Sequence, residues 1–201
     1  MKCSNIVAQL PQLCCLDVMR VRYTPDFGGD DKSGTLYVEL NVDLRMMCTA
    51  AAAADKDNLI AVWGPYMKTM LTALQKMPLL NVGKYYRGRP ESFEAVRKVY
   101  TSAREVWRAA FTSVSTNFEQ AAHLASWGDG CVLELDTVHA HDISAISFFP
   151  NEAEAILPPG RKFICLDSRP EECKPINCST PSIVKVISLK EVRLSMAPLV
   201  S

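Results

Sequence analysis

Apolar residues recur at helical spacing in the first part of the chain and shift to short runs in the second. Leu36, Leu40, Leu44 and Met47 fall on one helical face, as do Leu59, Trp63, Met67, Met70, Leu71 and Leu74. Two helices are predicted, separated near Ala54-Asp55. Pro65 interrupts the second period, where a proline removes a hydrogen bond and kinks the axis, so that helix is expected to start at Gly64-Pro65 with the proline in its first turn. Its methionine and aromatic stripe reads as core rather than as a cofactor pocket. Residues 1–24 carry apolar clusters without a clear period, and Pro25 to Gly34 is a loop by composition.

From Val82 the pattern becomes that of strands. Lys84-Tyr85-Tyr86-Arg87 reads as a strand running into Gly88, Glu91 to Tyr100 as a short helix with Ser92 as N-cap, and Glu105 to Phe111 as the next strand, with serines just past its end. Asn117 to Ala125 reads as a helix, Cys131 to Leu135 and Lys162 to Leu166 as buried strands, and Ile183 to Val192 as a final strand or strand pair. Between the last two, Asp167 to Pro181 holds three prolines and reads as a surface loop or hairpin. Helices first and strands afterwards predict an α+β fold, helical over about residues 1–80 and strand-rich over about 81–201.

A length of 201 residues suits one domain, 1–201, with a core that needs neither disulfide nor metal. The 22 lysines and arginines balance 22 aspartates and glutamates, which leaves no basic field for nucleic acid or an anionic membrane. No stretch reads as a membrane span, and the apolar N-terminal region, broken by Asn5, Gln9 and Pro11, is too weak for a secretory signal. Most of the eight cysteines sit singly in apolar runs, which predicts reduced thiols and an intracellular, cytoplasmic protein. Cys14-Cys15 as an acylation site and a Cys173 to Cys178 bridge are the alternatives to that reading.

Candidate chemistry gathers between Phe148 and Phe163. Glu152 and Glu154 lie two residues apart, just before Ala155-Ile156-Leu157 and a Pro158-Pro159-Gly160 turn, and in an extended chain both point to one side. Such a pair either faces water or converges on a site where one carboxylate tunes the other. Upstream, Tyr85-Tyr86-Arg87-Gly88 ends an aromatic run, and Phe111-Thr112-Ser113-Val114-Ser115-Thr116 ends an apolar one. In this order, Arg87, then Ser113 and Ser115, then Glu152-x-Glu154 with Pro-Pro-Gly, the chain resembles the arginine-specific mono-ADP-ribosyltransferases and their Arg, Ser-Thr-Ser, Glu-x-Glu signature. The likeness covers roughly residues 20–165 and includes Gly130-Cys-Val-Leu-Glu-Leu and Asp142-Ile-Ser-Ala-Ile-Ser. Val114 departs from it at the middle of the serine motif.

The resemblance implies a helical portion packed on a mixed, split β-sheet, NAD as substrate, and transfer of ADP-ribose to an arginine in a protein or small molecule. It implies that Glu154 stabilises the oxocarbenium ion left when nicotinamide departs, that Ser113 orients Glu154, and that Arg87 holds a phosphate. Gly88 would approach the nicotinamide amide through its backbone, Ser115 would complete the cofactor-binding set, and Phe118 either stacks on nicotinamide or packs in the core. Glu152 would take a proton from the acceptor guanidinium. No metal is expected, since His139-x-His141-Asp142 lacks further ligands and reads as a solvated loop. The enzyme is expected to act as a monomer. The alternative is a module that binds or hydrolyses NAD without transfer, with Val114 marking the drift.

Overall fold

A computed structural model describes residues 36–48, 56–80, 83–126, 128–147, 150–173 and 182–192. Among these, in chain order, lie α1 (Leu36–Met46), α2 (Lys56–Gln75), β1 (Lys84–Arg89), α3 (Phe93–Val99), β2 (Glu105–Arg108), β3 (Thr112–Ser115), α4 (Phe118–Ala125), β4 (Cys131–Asp136), β5 (His141–Asp142), β6 (Glu154–Leu157), β7 (Arg161–Cys173) and β8 (Ser182–Glu191). A single 3₁₀ turn, Pro150–Glu152, precedes β6. The expected α+β class holds. The segments Pro25 to Gly34, Cys14-Cys15 and Cys178 lie outside the described residues.

The chain divides into two compact units. The first takes the described residues up to Leu80 with Ala109–Ser113 and His139–Pro159, and the second takes those of Asn81–Arg108, Val114–Val138 and Gly160 onward. In the first, the two predicted helices meet along their apolar stripes: Leu40 and Leu44 of α1 join Trp63, Tyr66, Met70, Ala73 and Leu74 of α2 in a core with Phe111, Ile143 and Ile156. Burying each of the larger of these side chains stabilises the fold by about 1.5–3 kcal/mol. The Trp63 indole donates to Asp43 at 2.7 Å, giving the buried ring's polar edge a partner. β6 pairs antiparallel with β5, Ala155 opposite Asp142, and the Thr112-Ser113 half of β3 lies on the other side of β6.

One expectation for α2 fails. The helix does not start at Gly64-Pro65 but runs through them from Lys56. Leu59 and Trp63, both upstream of the proline, already pack on the core. Their burial outweighs the one hydrogen bond that Pro65, exposed on the outer face, removes.

The second unit is a mixed sheet in the order β2-β7-β8-β4-β1 and the Val114-Ser115 half of β3. β4 and β8 run parallel and the other pairs within it antiparallel. α4 covers part of one face, packing Ala121, Ala122 and Ala125 on Val132, Val184, Val186 and Cys173. Ser92 caps α3 as expected, its hydroxyl accepting from the Ala95 amide.

Three strand boundaries differ from expectation. β1 continues through Gly88 to Arg89, held in register by β4. The predicted Glu105–Phe111 strand ends at Arg108, and the serines lie within a new strand rather than past an old one, because the partner changes: β2 pairs with β7, whereas Ser115 faces Tyr86 of β1. β7 extends to Cys173 through what reads as loop, because β8 pairs with it along its length after a bulge at Cys165 to Asp167. Pro170 fits there because β2 covers β7 only as far as Ile164, so its missing N–H faces an open edge.

On the sheet, Glu134 is a buried carboxylate surrounded by partners. Arg169 donates to it at 3.1 Å, Ser188 at 3.3 Å, and the Lys84 ammonium lies at 3.3 Å. Burial pushes its pKa up, but the hydrogen bond and charge of Arg169 together with Lys84 outweigh burial and hold it below the ordinary 4.5. A depressed folded-state pKa contributes stability that is present above the unfolded value and lost as pH falls through the folded one. The advantage of wild type over Arg169→Met, measured by urea denaturation, is therefore expected to be largest at neutral pH and to shrink below pH 4.5. A difference independent of pH would contradict the network. In the first unit, Pro65→Ala restores a donor to the helix interior and is expected to raise stability by up to about 3 kcal/mol, seen as a higher urea midpoint.

Candidate active site

Glu154 opens β6, a strand whose four residues are all buried, and its own side chain is only 5% exposed. A carboxylate so placed needs donors. Two hydroxyls supply them: Ser113 donates to Oε1 at 2.5 Å and Ser147 donates to Oε2 at 2.9 Å. Ser113 comes from the strand beside β6. Ser147 comes from a turn that follows β5, in which Asp142 caps the Ser144 amide at 2.8 Å and the Ile146 and Ser147 amides both donate to the Ile143 carbonyl. The sequence pairs Ser113 with Glu154 through the motif, and the structure brings them together. Ser147 has no assigned role in the sequence reading, although it ends the Asp142-Ile-Ser-Ala-Ile-Ser stretch.

Glu152 is not where an extended chain would put it. It ends the 3₁₀ turn, and Ala153 adopts a left-handed backbone with φ 46°, so the two glutamates do not share one strand face. The chain turns between them, leaving Glu154 buried and Glu152 half-buried.

The remaining candidates belong to the second unit. Arg87 and Gly88 lie mid-strand in β1, opposite Leu133 and Val132. A Cβ on Gly88 would stand 2.2 Å from the Ala121 carbonyl oxygen and 2.7 Å from Leu124 Cβ, so the glycine lets α4 lie directly on β1. Ser115 is buried, and its hydroxyl accepts from the Asn117 amide at 2.9 Å, while the Asn117 side chain caps α4 through Glu119 and Gln120. Phe118, first in α4, meets the Tyr86 ring edge to face at 5.2 Å. Val114 is buried and alternates to the face opposite Ser113 and Ser115, so the departure at the middle of the motif removes no hydroxyl from the serine side.

The Cys131 thiol is pushed up to about 11 by burial, which keeps it protonated and a poor nucleophile. His141 is a strand residue of β5 with Nδ1 3.4 Å from the Met77 carbonyl, not a loop residue, and among the described residues no three His, Cys, Asp or Glu side chains converge on a metal position.

The sequence model of the family described as NAD:arginine ADP-ribosyltransferase matches residues 29–177. No curated protein matches the chain. Among solved structures, the chain is similar to the ADP-ribosyltransferase HopU1 of Pseudomonas syringae pv. tomato DC3000, with a TM-score of 0.63 and 16% identity over 89% of this chain and 76% of that one. It is similar to exoenzyme S from Pseudomonas aeruginosa, solved with human 14-3-3 protein beta and carba-NAD, at 0.53 and 17% over 92% and 78%. It also resembles Vis toxin, an ADP-ribosyltransferase from Vibrio splendidus, at 0.52 and 20% over 97% and 88%. These likenesses show the ADP-ribosyltransferase fold.

The left-handed residue between the glutamates gives a direct test of the local geometry. A Cβ in that conformation costs about 1–2 kcal/mol and a β-branched one more, whereas glycine carries no such penalty. Ala153→Val is expected to lose more than about 1 kcal/mol, with Ala153→Gly within about 1 kcal/mol of wild type, in thermal denaturation. The reverse order would mean that Ala153 is extended in solution.

Proposed function

The chain belongs to the NAD:arginine ADP-ribosyltransferase family, and from that membership we propose that it transfers ADP-ribose from NAD to an arginine side chain and releases nicotinamide. The observation that carries the reading is the Ser113 to Glu154 hydrogen bond of 2.5 Å, which joins the second and third parts of the signature at a buried carboxylate. Breaking the bond between nicotinamide and ribose leaves positive charge on the sugar, and nicotinamide departs with the electron pair. A fixed, desolvated carboxylate stabilises that charge more than water does, because it needs no reorganisation as the charge develops.

In this reading Glu154 accepts from the ribose 2′-hydroxyl and faces the developing cation. Arg87 offers a planar fork to a phosphate oxygen pair, and the Gly88 backbone meets the nicotinamide amide. Phe118 supplies a ring for nicotinamide, already braced edge to face by Tyr86. Ser115 holds the turn into α4 that presents that ring. The acceptor guanidinium becomes a nucleophile only by losing a proton as its nitrogen bonds to the ribose carbon, and Glu152 takes that proton. Placing Glu152 on the turn, half-buried and off the Glu154 strand, suits a group that serves an incoming acceptor. The acceptor is an arginine in a protein or a small guanidine such as agmatine. Val114 lies on the strand face opposite the two serines, which supports the active reading over that of a module that binds or hydrolyses NAD without transfer.

The two glutamates are expected to separate by mutation. Glu154→Gln keeps the shape and removes the charge, so both agmatine modification and NAD hydrolysis should fall by about a thousandfold or more. Glu152→Gln should abolish agmatine modification and retain a good part of NAD hydrolysis, since water still serves as nucleophile. Labelled NAD, with both products quantified and folding checked by circular dichroism, decides it. Equal loss of hydrolysis in the two variants would reject the division of roles, and absence of nicotinamide release from wild type at several pH values would reject the enzyme.

A further inference from the structure

The family signature assigns one hydroxyl to the catalytic carboxylate, but in this chain both carboxylate oxygens are engaged by hydroxyls. Ser113 holds Oε1 and Ser147 holds Oε2. A single anchor leaves the carboxylate free to swing about its last torsion, a terminal sp³–sp² rotation with a broad energy profile. A second anchor on the other oxygen fixes the plane. The segment that carries Ser147 is itself tied to the same residue at a second point, since the Ile143 amide donates to the Glu154 backbone carbonyl at 3.2 Å. The turn between these points is closed by the Ser147 amide on the Ile143 carbonyl at 2.9 Å and started by the Asp142 carboxylate on the Ser144 amide. Backbone and side chain of Glu154 are thus gripped by one short, internally bonded turn.

We propose that Ser147 is a positioning residue for the transfer reaction, its hydroxyl setting the plane of the Glu154 carboxylate together with Ser113. The inference rests on the proposed function to the extent that Glu154 is the group that meets the ribose. Misplacing a catalytic group by a fraction of an ångström to an ångström costs up to about a hundredfold in rate without any loss of substrate contacts. Because Ser147 touches Glu154 and, in this proposal, not NAD, its removal should act on kcat and spare KM.

The test compares wild type, Ser147→Ala, Ser147→Thr and the Ser113→Ala, Ser147→Ala double variant in nicotinamide release, and solves crystal structures of wild type and Ser147→Ala. Ser147→Ala is expected to lower kcat by about 10- to 100-fold with KM for NAD within about twofold, and Ser147→Thr, which keeps the hydroxyl, to recover most of the loss. The double variant should lose less than the product of the two single losses, because both hydroxyls act through one carboxylate. In the crystals, Ser147→Ala should show the Glu154 carboxylate rotated while residues 150–157 keep their backbone. Wild-type kcat in a folded Ser147→Ala, or an unrotated carboxylate in its crystal structure, overturns the proposal. If wild type itself releases no nicotinamide, the enzyme reading falls, and the carboxylate plane in the two crystal structures still decides whether Ser147 sets it.

Discussion

A carboxylate placed at the head of a fully buried strand is the constraint around which the first unit is arranged. Removing an ionised carboxylate from water is costly unless its oxygens receive donors. Glu154 can keep its position only because β6 lies between β5 and the first half of β3, so that the segment after β5 and the strand on the other side each deliver one hydroxyl. The helices α1 and α2 contribute indirectly. They bury Phe111, Ile143 and Ile156, residues that adjoin the hydroxyl-bearing segments and the strand itself, and so hold the donors at hydrogen-bonding distance. Packing on one side of these segments and hydrogen bonding on the other are a single arrangement.

In the second unit the corresponding constraint is the approach of α4 to the sheet. Ala121 and Ala125, with Gly88 beneath them, leave no side-chain volume between helix and strand, and larger residues at any of the three would push the helix away. The start of that helix is fixed by two successive caps, Ser115 on Asn117 and Asn117 on the first helical amides. Phe118 is therefore held at its base by capping and meets Tyr86 at its edge. A motif serine and an aromatic residue that look independent along the chain belong to one local device.

Much of this was legible in the pattern of residues, and the exceptions share a cause. The helical stripes of α1 and α2, the Ser92 cap, the buried runs of β4 and β7 and the final strand β8 follow from period and composition, which act locally. Pro65 misleads because its cost is local while the burial of Leu59 and Trp63 that outweighs it is not. The extent of β7 and the division between β2 and β3 were hidden because a strand ends where its partner ends, and partners are far away in sequence. Among the candidate residues, the order of Arg87, Ser113 and Glu154 stands out along the chain, whereas the left-handed Ala153 carries no marker, alanine having no preference for positive φ. Ser147 escaped for another reason: a serine at the end of a turn is commonplace, and only the fold shows which oxygen it meets.

Among the described residues two carboxylates are buried and are satisfied in opposite ways, and the contrast bears on their roles. Glu134 lies against Arg169 and Lys84, so its charge is neutralised within the sheet, and it ties β1, β4, β7 and β8 through their side chains. Glu154 is met among the described residues by neutral hydroxyls. Hydroxyl donors stabilise an anion through partial charges and leave its net charge in place, whereas a guanidinium or ammonium at 3 Å cancels it. In the proposed reading Glu154 faces a cation that exists only in the transition state, and a carboxylate already paired with a cation would have no net charge left to offer it. In that reading, exchanging the two environments would pair the carboxylate at the head of β6 with a cation and leave an unneutralised anion in the sheet, a molecule with the same residues and no unpaired negative charge to stabilise a cation on the ribose.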